Sequence, residues 1–240
     1  LNILNMEAVI LVGGLGSRLG DLTKETPKPM LPIRGVPFLD LLLRHLKKKG
    51  ITRAILAVGY QRQKIEKYFK QELDKWPNIS FSIEANLLGT GGAILQALCL
   101  SSGSDVFVVN GDSFLEADYS AIYKKHLQNK SDITVASCLI SSANRYGIIR
   151  SNNSGEIIDF LEKGLVSKGL INGGVYLLNR SKLISFLTLL EKESFSFESE
   201  VLKAKTLELK KYHFQSEGIF LDIGIPTDYY KAQIELFKDS

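Results

Sequence analysis

Two aspartates stand where carboxylate chemistry is most useful. Asp112 follows the apolar run Asp105–Asn110 (DVFVVN), and Asp222 follows Ile219–Leu221. The carboxyl ends of strands are where open α/β sheets bind their ligands. Magnesium takes one or two carboxylates and completes its shell with phosphate oxygens and water. Two aspartates meeting at one sheet edge therefore suit a nucleotide-bound Mg²⁺, although an aspartate after a strand also serves as an ordinary turn or helix cap. A third apolar run, Glu7–Val12 (EAVILV), feeds Gly13-Gly14-Leu15-Gly16-Ser17-Arg18-Leu19-Gly20. Glycines let successive N–H groups converge on an anion, and a following helix start adds positive dipole. This is not the dinucleotide fingerprint, whose third glycine would fall on Leu19, nor a Walker loop, which needs Gly-Lys-Ser/Thr. Downstream, Pro27 and Pro29 bracket Lys28 and stiffen the segment that carries it. A rigidly held lysine near a glycine loop and Arg18 suits a polyanion.

Taken together, VGGLGSRL, Leu22-Thr23 and PKPMLPI resemble the signature of the nucleoside-triphosphate:sugar-1-phosphate nucleotidyltransferases. Asn110-Gly111-Asp112 and Phe220-Leu221-Asp222-Ile223-Gly224 resemble the segments that carry that family's two metal ligands. The resemblance implies that Val12, Gly13, Gly14, Gly16, Ser17, Arg18 and Gly111 bind the nucleotide. It implies Mg²⁺ on Asp112 and Asp222, with Arg18, Lys28 and Lys163 as the catalytic cations. Glu84 to Ala93 (EANLLGTGGA) looks like the base-reading loop, with Glu84, Gly89 and Thr90 on the nucleotide. Guanine offers two adjacent donors and a carboxylate only accepts, so Glu84 fits guanine better than uracil or thymine. A solvated strand-end glutamate is the plainer reading of the same residue.

Glu162-Lys163 resembles the family's Glu-Lys pair, with Glu162 on sugar hydroxyls and Lys163 on the sugar phosphate. Gly164 stands where the family usually has proline, and Ile225 replaces a common threonine before Pro226. Asn172-Gly173-Gly174, Tyr146-Gly147 and Asn110 match sugar-facing segments. The short length, Glu84, FSFE and FLDIGIP look most like the bacterial guanylyltransferases of D-glycero-α-D-manno-heptose 1-phosphate. The implied reaction moves GMP from GTP to that sugar 1-phosphate, giving GDP-heptose for capsule or lipopolysaccharide. Mannose 1-phosphate guanylyltransferase is the close rival, followed by thymidylyl-, uridylyl- and cytidylyltransferases of the same family. A non-catalytic subunit that binds a sugar nucleotide is the reading from another class; it would be expected to lose Arg18, Lys28 or an aspartate, and all are present.

The elements that must position these residues read as an α/β chain. Its 240 residues bury roughly 70–75% of the unfolded surface without staples. A net charge of +4 is too small and scattered to argue for nucleic acid. No run reaches the roughly 18 apolar residues that a membrane span needs, and the reading is a cytoplasmic protein. Leu1–Asn5 reads as a remnant ahead of a single catalytic domain over 6–240, compatible with a homo-oligomer. Cys99 and Cys138 lie in apolar surroundings and read as buried free thiols.

Strand–helix alternation implies a doubly wound, Rossmann-like, mostly parallel mixed sheet with helices on both faces and a small annex over the sugar pocket. Leu39, Leu42, Leu43 and Leu46 follow helical spacing after Pro37, closed by Gly50. Pro226 opens a last helix, expected to turn Tyr230, Ile234 and Phe237 inward. Tyr68 and Phe69 also read as core. His45, His126 and His213 show no metal or triad spacing. Phe195–Glu200 (FSFESE) reads only as a helix start, with Ser196 or Ser199 as the cap.

Overall fold

The computed structural model describes residues 6–14, 19, 22–72, 76–141, 143–161, 168–204 and 209–236. Its first half is a βα winding. Strand β1 (Met6–Leu11) leads to the short strands β2 (Pro32–Ile33) and β3 (Val36–Pro37), then α1 (Phe38–Lys48), β4 (Ile51–Val58) and α2 (Arg62–Gln71). Strand β5 (Ile79–Ile83), α3 (Gly89–Leu98), β6 (Asp105–Asn110), β7 (Ser113–Leu115) and α4 (Tyr119–Asn129) follow. The second half is strand-rich: β8 (Ile133–Ile140), β9 (Ile148–Ser151), β10 (Ile157–Leu161), β11 (Gly169–Asn179), α5 (Arg180–Leu189), a π-helical turn at Glu198–Leu202, β12 (Lys211–Ser216), β13 (Phe220–Asp222) and α6 (Pro226–Glu235).

Among the described residues nine strands form one sheet, in the order β10-β9-β11-β6-β1-β4-β5, with β8 also on β11 and β12 on β8. The pairs β6–β1, β1–β4 and β4–β5 are parallel; β11 enters antiparallel to β6 and carries the mixed half. Alternation along β1 explains the two layers. Ala8 and Ile10 face the core beneath α1, α2, α4 and α6, whereas Val9 faces α3 and α5. The α1 stripe is buried as its spacing requires, and Gly50 takes φ +95° after the helix.

Three expectations are corrected. On α6 it is Tyr229 and Ala232 that are buried, while Tyr230 and Ile234 are 62% and 59% exposed; Phe237 lies outside the described residues. The helix has apolar residues on two faces, and the bonds of Tyr229 and Gln233 to the β2–β3 hairpin hold this one inward, the Tyr229 hydroxyl donating to the Pro32 carbonyl at 2.6 Å. Cys99 is exposed at the end of α3, whereas Cys138 is buried and its thiol is pushed up to about 12. Asp222 is not on the main sheet: among the described strands β13 pairs only with β7, in a separate two-stranded ribbon, with Asp222 opposite Ser113. No described helix is long and apolar enough to cross a membrane.

Candidate active site

The Lys28 segment is a single 3₁₀ turn, Lys28–Met30, entered through extended Pro27. The β2–β3 hairpin that follows is clasped by the last helix. Tyr229 and Gln233 both donate to the Pro32 carbonyl, and the Arg34 backbone N–H donates to the Gln233 side chain at 2.7 Å. Held this way, the nearly buried Lys28 Nζ lies 2.6 Å from Asp112 Oδ2 and 3.9 Å from Asp222 Oδ1. The ribbon brings the aspartates together: Asp112 precedes β7, Asp222 ends β13, and the Ile223 N–H donates to the Asp112 carbonyl. Gly224 donates its N–H to Asp222 Oδ1, and a Cβ there would stand 2.6 Å from that oxygen and 2.7 Å from Lys28 Nζ. Only glycine fits so close to an ion cluster.

Two carboxylates facing one ammonium are a donor set that fits a hard divalent cation. No group of three or more metal-ligating side chains converges among the described residues. The protein would thus supply two oxygens and leave the rest of a cation's shell to phosphate and water, as Mg²⁺ prefers.

On one side of this cluster lies a cavity of about 430 Å³. Val12, Gly13 and Gly14 form its floor with Lys28, and Glu84, Gly89 and Thr90 form its wall. Glu84 leaves the end of β5, accepts from the Leu88 N–H at 3.1 Å and rests against Gly13, where a Cβ would overlap its Oε1. Burial raises its pKa, opposed by the Leu88 N–H. The loop that follows is backed by Phe195: Gly91 N–H donates to its carbonyl and its own N–H donates to Leu88. A Cβ on Gly91 would overlap the Phe195 ring, and Gly89 needs φ +67°.

A second cavity, about 450 Å³, opens on the other side, and the two share Asn110 and Asp112. Tyr146, Gly147, Asn172, Gly174 and Asp222 line it. Asn172 sits at an irregularity in the β11–β8 pairing. Its amide donates to the Tyr176 hydroxyl at 2.8 Å and accepts from Gly174 N–H, with Gly174 at φ +72°. Burial pushes the Tyr146 phenol up to about 12. Asn110 Oδ1 is buried with no partner.

Gly111 and Gly173 line neither cavity. Gly111 packs on Leu11 and Val12, and Gly173 on Leu115 and the Ala136 carbonyl, so both serve close backbone approach. Gly16, Ser17, Arg18, Glu162 and Lys163 lie outside the described residues. Sequence reasoning passed over Arg145 and Glu198, which also line the second cavity. Arg145, next to Tyr146-Gly147, ion-pairs with Asp228 at 2.8 Å. Glu198 closes the FSFE segment, which was read as a subfamily likeness and a helix start but not as a group that lines a cavity. The histidines are structural: His126 bonds Thr134 and faces Asp105, His213 bonds Ser137 and Ser151, and His45 stacks edge-on against Phe114.

Comparison with known proteins fits this geometry. The family model described as nucleotidyl transferase matches residues 7–239. The chain is 43% identical to the D-glycero-alpha-D-manno-heptose 1-phosphate guanylyltransferase of Aneurinibacillus thermoaerophilus, over 96% of this chain and 98% of that one. It is 41% identical to the enzyme of the same name from Campylobacter jejuni, over 94% and 97%. Among solved structures, HddC from Yersinia pseudotuberculosis complexed with GMP-PN superposes with a TM-score of 0.85 at 34% identity, covering 95% of this chain and 98% of that one.

Proposed function

Because the chain belongs to the nucleotidyl transferase family, we propose that it transfers GMP from GTP to D-glycero-α-D-manno-heptose 1-phosphate, releasing pyrophosphate. The observation that carries this reading is the pair of cavities that meet at Asn110 and Asp112, with the Lys28 ammonium at the seam. A triphosphate in the first and a sugar 1-phosphate in the second would present their reacting phosphates to each other across that seam. The names of the relatives that match nearly end to end support guanine and heptose as the substrates.

The attacking group is a phosphate oxygen, already an anion. It forms a bond to the α-phosphorus while the bond from that phosphorus to the bridging oxygen of the leaving pyrophosphate breaks. No proton need move and no covalent enzyme intermediate is needed. The chain's task is to hold two polyanions together and in line, which is positioning and charge stabilisation. We assign Lys28 to the phosphates at the seam, and Arg18 and Lys163 to the triphosphate and the sugar phosphate. The glycine loop Val12–Gly14 opens backbone space for the triphosphate, and Glu84 accepts from the guanine edge.

Enzymes of this family generally use a divalent metal, and we assign Mg²⁺ to Asp112 and Asp222. Bound there, it would supply Lewis-acid charge neutralisation on the phosphates. We further read residues 6–240 as one catalytic domain. The test is a matrix of nucleoside triphosphates against sugar 1-phosphates, heptose and mannose included, with pyrophosphate as the readout. GTP with the heptose 1-phosphate should give the highest kcat/KM. Another base or a faster mannose 1-phosphate reaction overturns the corresponding half of the proposal.

A further inference from the structure

We infer that Glu198 reads a sugar hydroxyl in the second cavity and that Thr90, from the wall of the first, holds it in the reading position. This rests on the nucleotidyl-transfer reading above. Glu198 begins the π-helical turn Glu198–Leu202 and lines the second cavity. Its Oε2 accepts from Thr90 Oγ at 2.8 Å and from Ser196 Oγ at 3.0 Å. Each hydroxyl has one proton to give, and both go to the same oxygen. The other oxygen, Oε1, takes no hydrogen bond from a described residue.

A role as a helix cap does not explain the residue. Capping of this turn falls to Ser196, whose Oγ accepts the Ser199 N–H at 3.2 Å. Two neighbouring polar side chains are already engaged. Asn172 is engaged at both ends of its amide, and Arg145 is paired with Asp228. Among the acceptors on the described residues lining the cavity, Glu198 Oε1 and the buried Asn110 Oδ1 take no hydrogen bond from a described residue. A cavity with acceptors left over calls for a ligand rich in O–H donors, which is the chemistry of a sugar.

Thr90 is the link between the cavities. Its Oγ accepts the Phe197 N–H at 2.8 Å, which turns its proton toward Glu198, while the residue lines the nucleotide-side cavity. One hydroxyl thus belongs to the wall of one cavity and orients a carboxylate in the other.

The test uses the full chain with whichever triphosphate and sugar 1-phosphate pair the wild type turns over fastest, together with that sugar's monodeoxy 1-phosphates. A fastest pair other than GTP and heptose would overturn the earlier proposal while leaving this test intact. A hydrogen bond to a charged group corresponds to roughly 10–100-fold in kcat/KM, so the wild type should discriminate by about that much against one deoxy position. Glu198→Ala should abolish that discrimination and raise the KM for the sugar 1-phosphate, leaving the triphosphate KM within about twofold, as a ligand–residue cycle requires. Thr90→Val should weaken the same discrimination and Thr90→Ser should restore it.

Should Glu198→Ala fold poorly, Glu198→Gln decides. The two O–H donors fix the amide oxygen at the inner site, so the NH₂ faces the sugar and discrimination must fall there too. Discrimination unchanged in both Glu198 variants, or both KM values rising together, would overturn the inference.

Discussion

The two cavities are built in different ways. The first is made of loops that leave the carboxyl ends of β1 and β5, where the parallel half of the sheet aims backbone and short side chains at one point. The second is walled by side chains from Tyr146, Phe160, Asn172, Glu198 and Phe220, which come from the mixed half of the sheet, the β7–β13 ribbon and the π-helical turn. A backbone-built cavity is written in contiguous motifs. A side-chain-built one depends on a carboxylate pinned from elsewhere, so it can change ligand without changing the sheet. This division lets one chemistry keep its phosphate machinery while the acceptor site varies.

The seam between the cavities should be the most sensitive part. Asp112→Asn and Asp222→Asn are each expected to cut kcat by about a hundredfold or more, since a lost metal ligand removes several kcal/mol of charge stabilisation. EDTA should silence the wild type and added Mg²⁺ restore it. Turnover of either variant near the wild-type rate at saturating Mg²⁺ would show that the seam is not where the metal acts.

The backbone-built wall should be intolerant of bulk. Gly91→Ala must push Phe195 aside, which overpacking places at about 1–3 kcal/mol in urea unfolding. Its triphosphate KM should rise more than its sugar 1-phosphate KM. Equal rises would mean that the Phe195 segment serves both cavities alike.

Within that wall Glu84 tests how much of the base is read by a side chain. Glu84→Gln should lower the ratio of kcat/KM for GTP over dTTP by on the order of tenfold, from one lost charged acceptor. An unchanged ratio assigns the base to backbone groups alone.

The smallest effect is on stability at the seam's underside, where His45 packs on Phe114 just past Asp112. Burial, aided by Lys49 and Lys48, lowers the His45 pKa from 6.5 to about 4. The unfolded chain therefore binds the extra proton between these values, so stability falls as pH drops from 6.5 to 4 and the loss is complete below that window. His45→Phe should flatten that slope in urea titrations at pH 7, 5 and 4; an undiminished slope would place the acid sensitivity on other groups.

These differences also explain what could be read in advance. The α1 stripe, β1, β6 and the strand-end position of Asp112 followed from local rules of apolar period and strand ends, whereas Lys28 and Glu84 were placed at the site by the family resemblance. Tyr230 and Ile234 did not follow from such rules, because α6 offers two apolar faces and the bonds of Tyr229 and Gln233 to the β2–β3 hairpin hold the other one inward. The place of Glu198 in the second cavity was not legible for a related reason. Of its two partners Ser196 is local and reads as a helix cap, while Thr90 lies on a different element, reached only after folding. Asp222 was placed at the site but on the wrong sheet, since a three-residue strand carries too little pattern to name its partner.

The clasp between Arg34 and Gln233 joins residues 199 positions apart, and the β7–β13 ribbon joins the middle of the chain to its last quarter. During synthesis, then, the glycine loop, Lys28 and Asp112 leave the ribosome long before Asp222 exists. A chain made only that far lacks Phe195 behind the nucleotide-side wall, the second carboxylate and the helix that holds the lysine turn. Both features that complete the seam, Asp222 and the helix that clasps the lysine turn, therefore come from the last quarter of the chain.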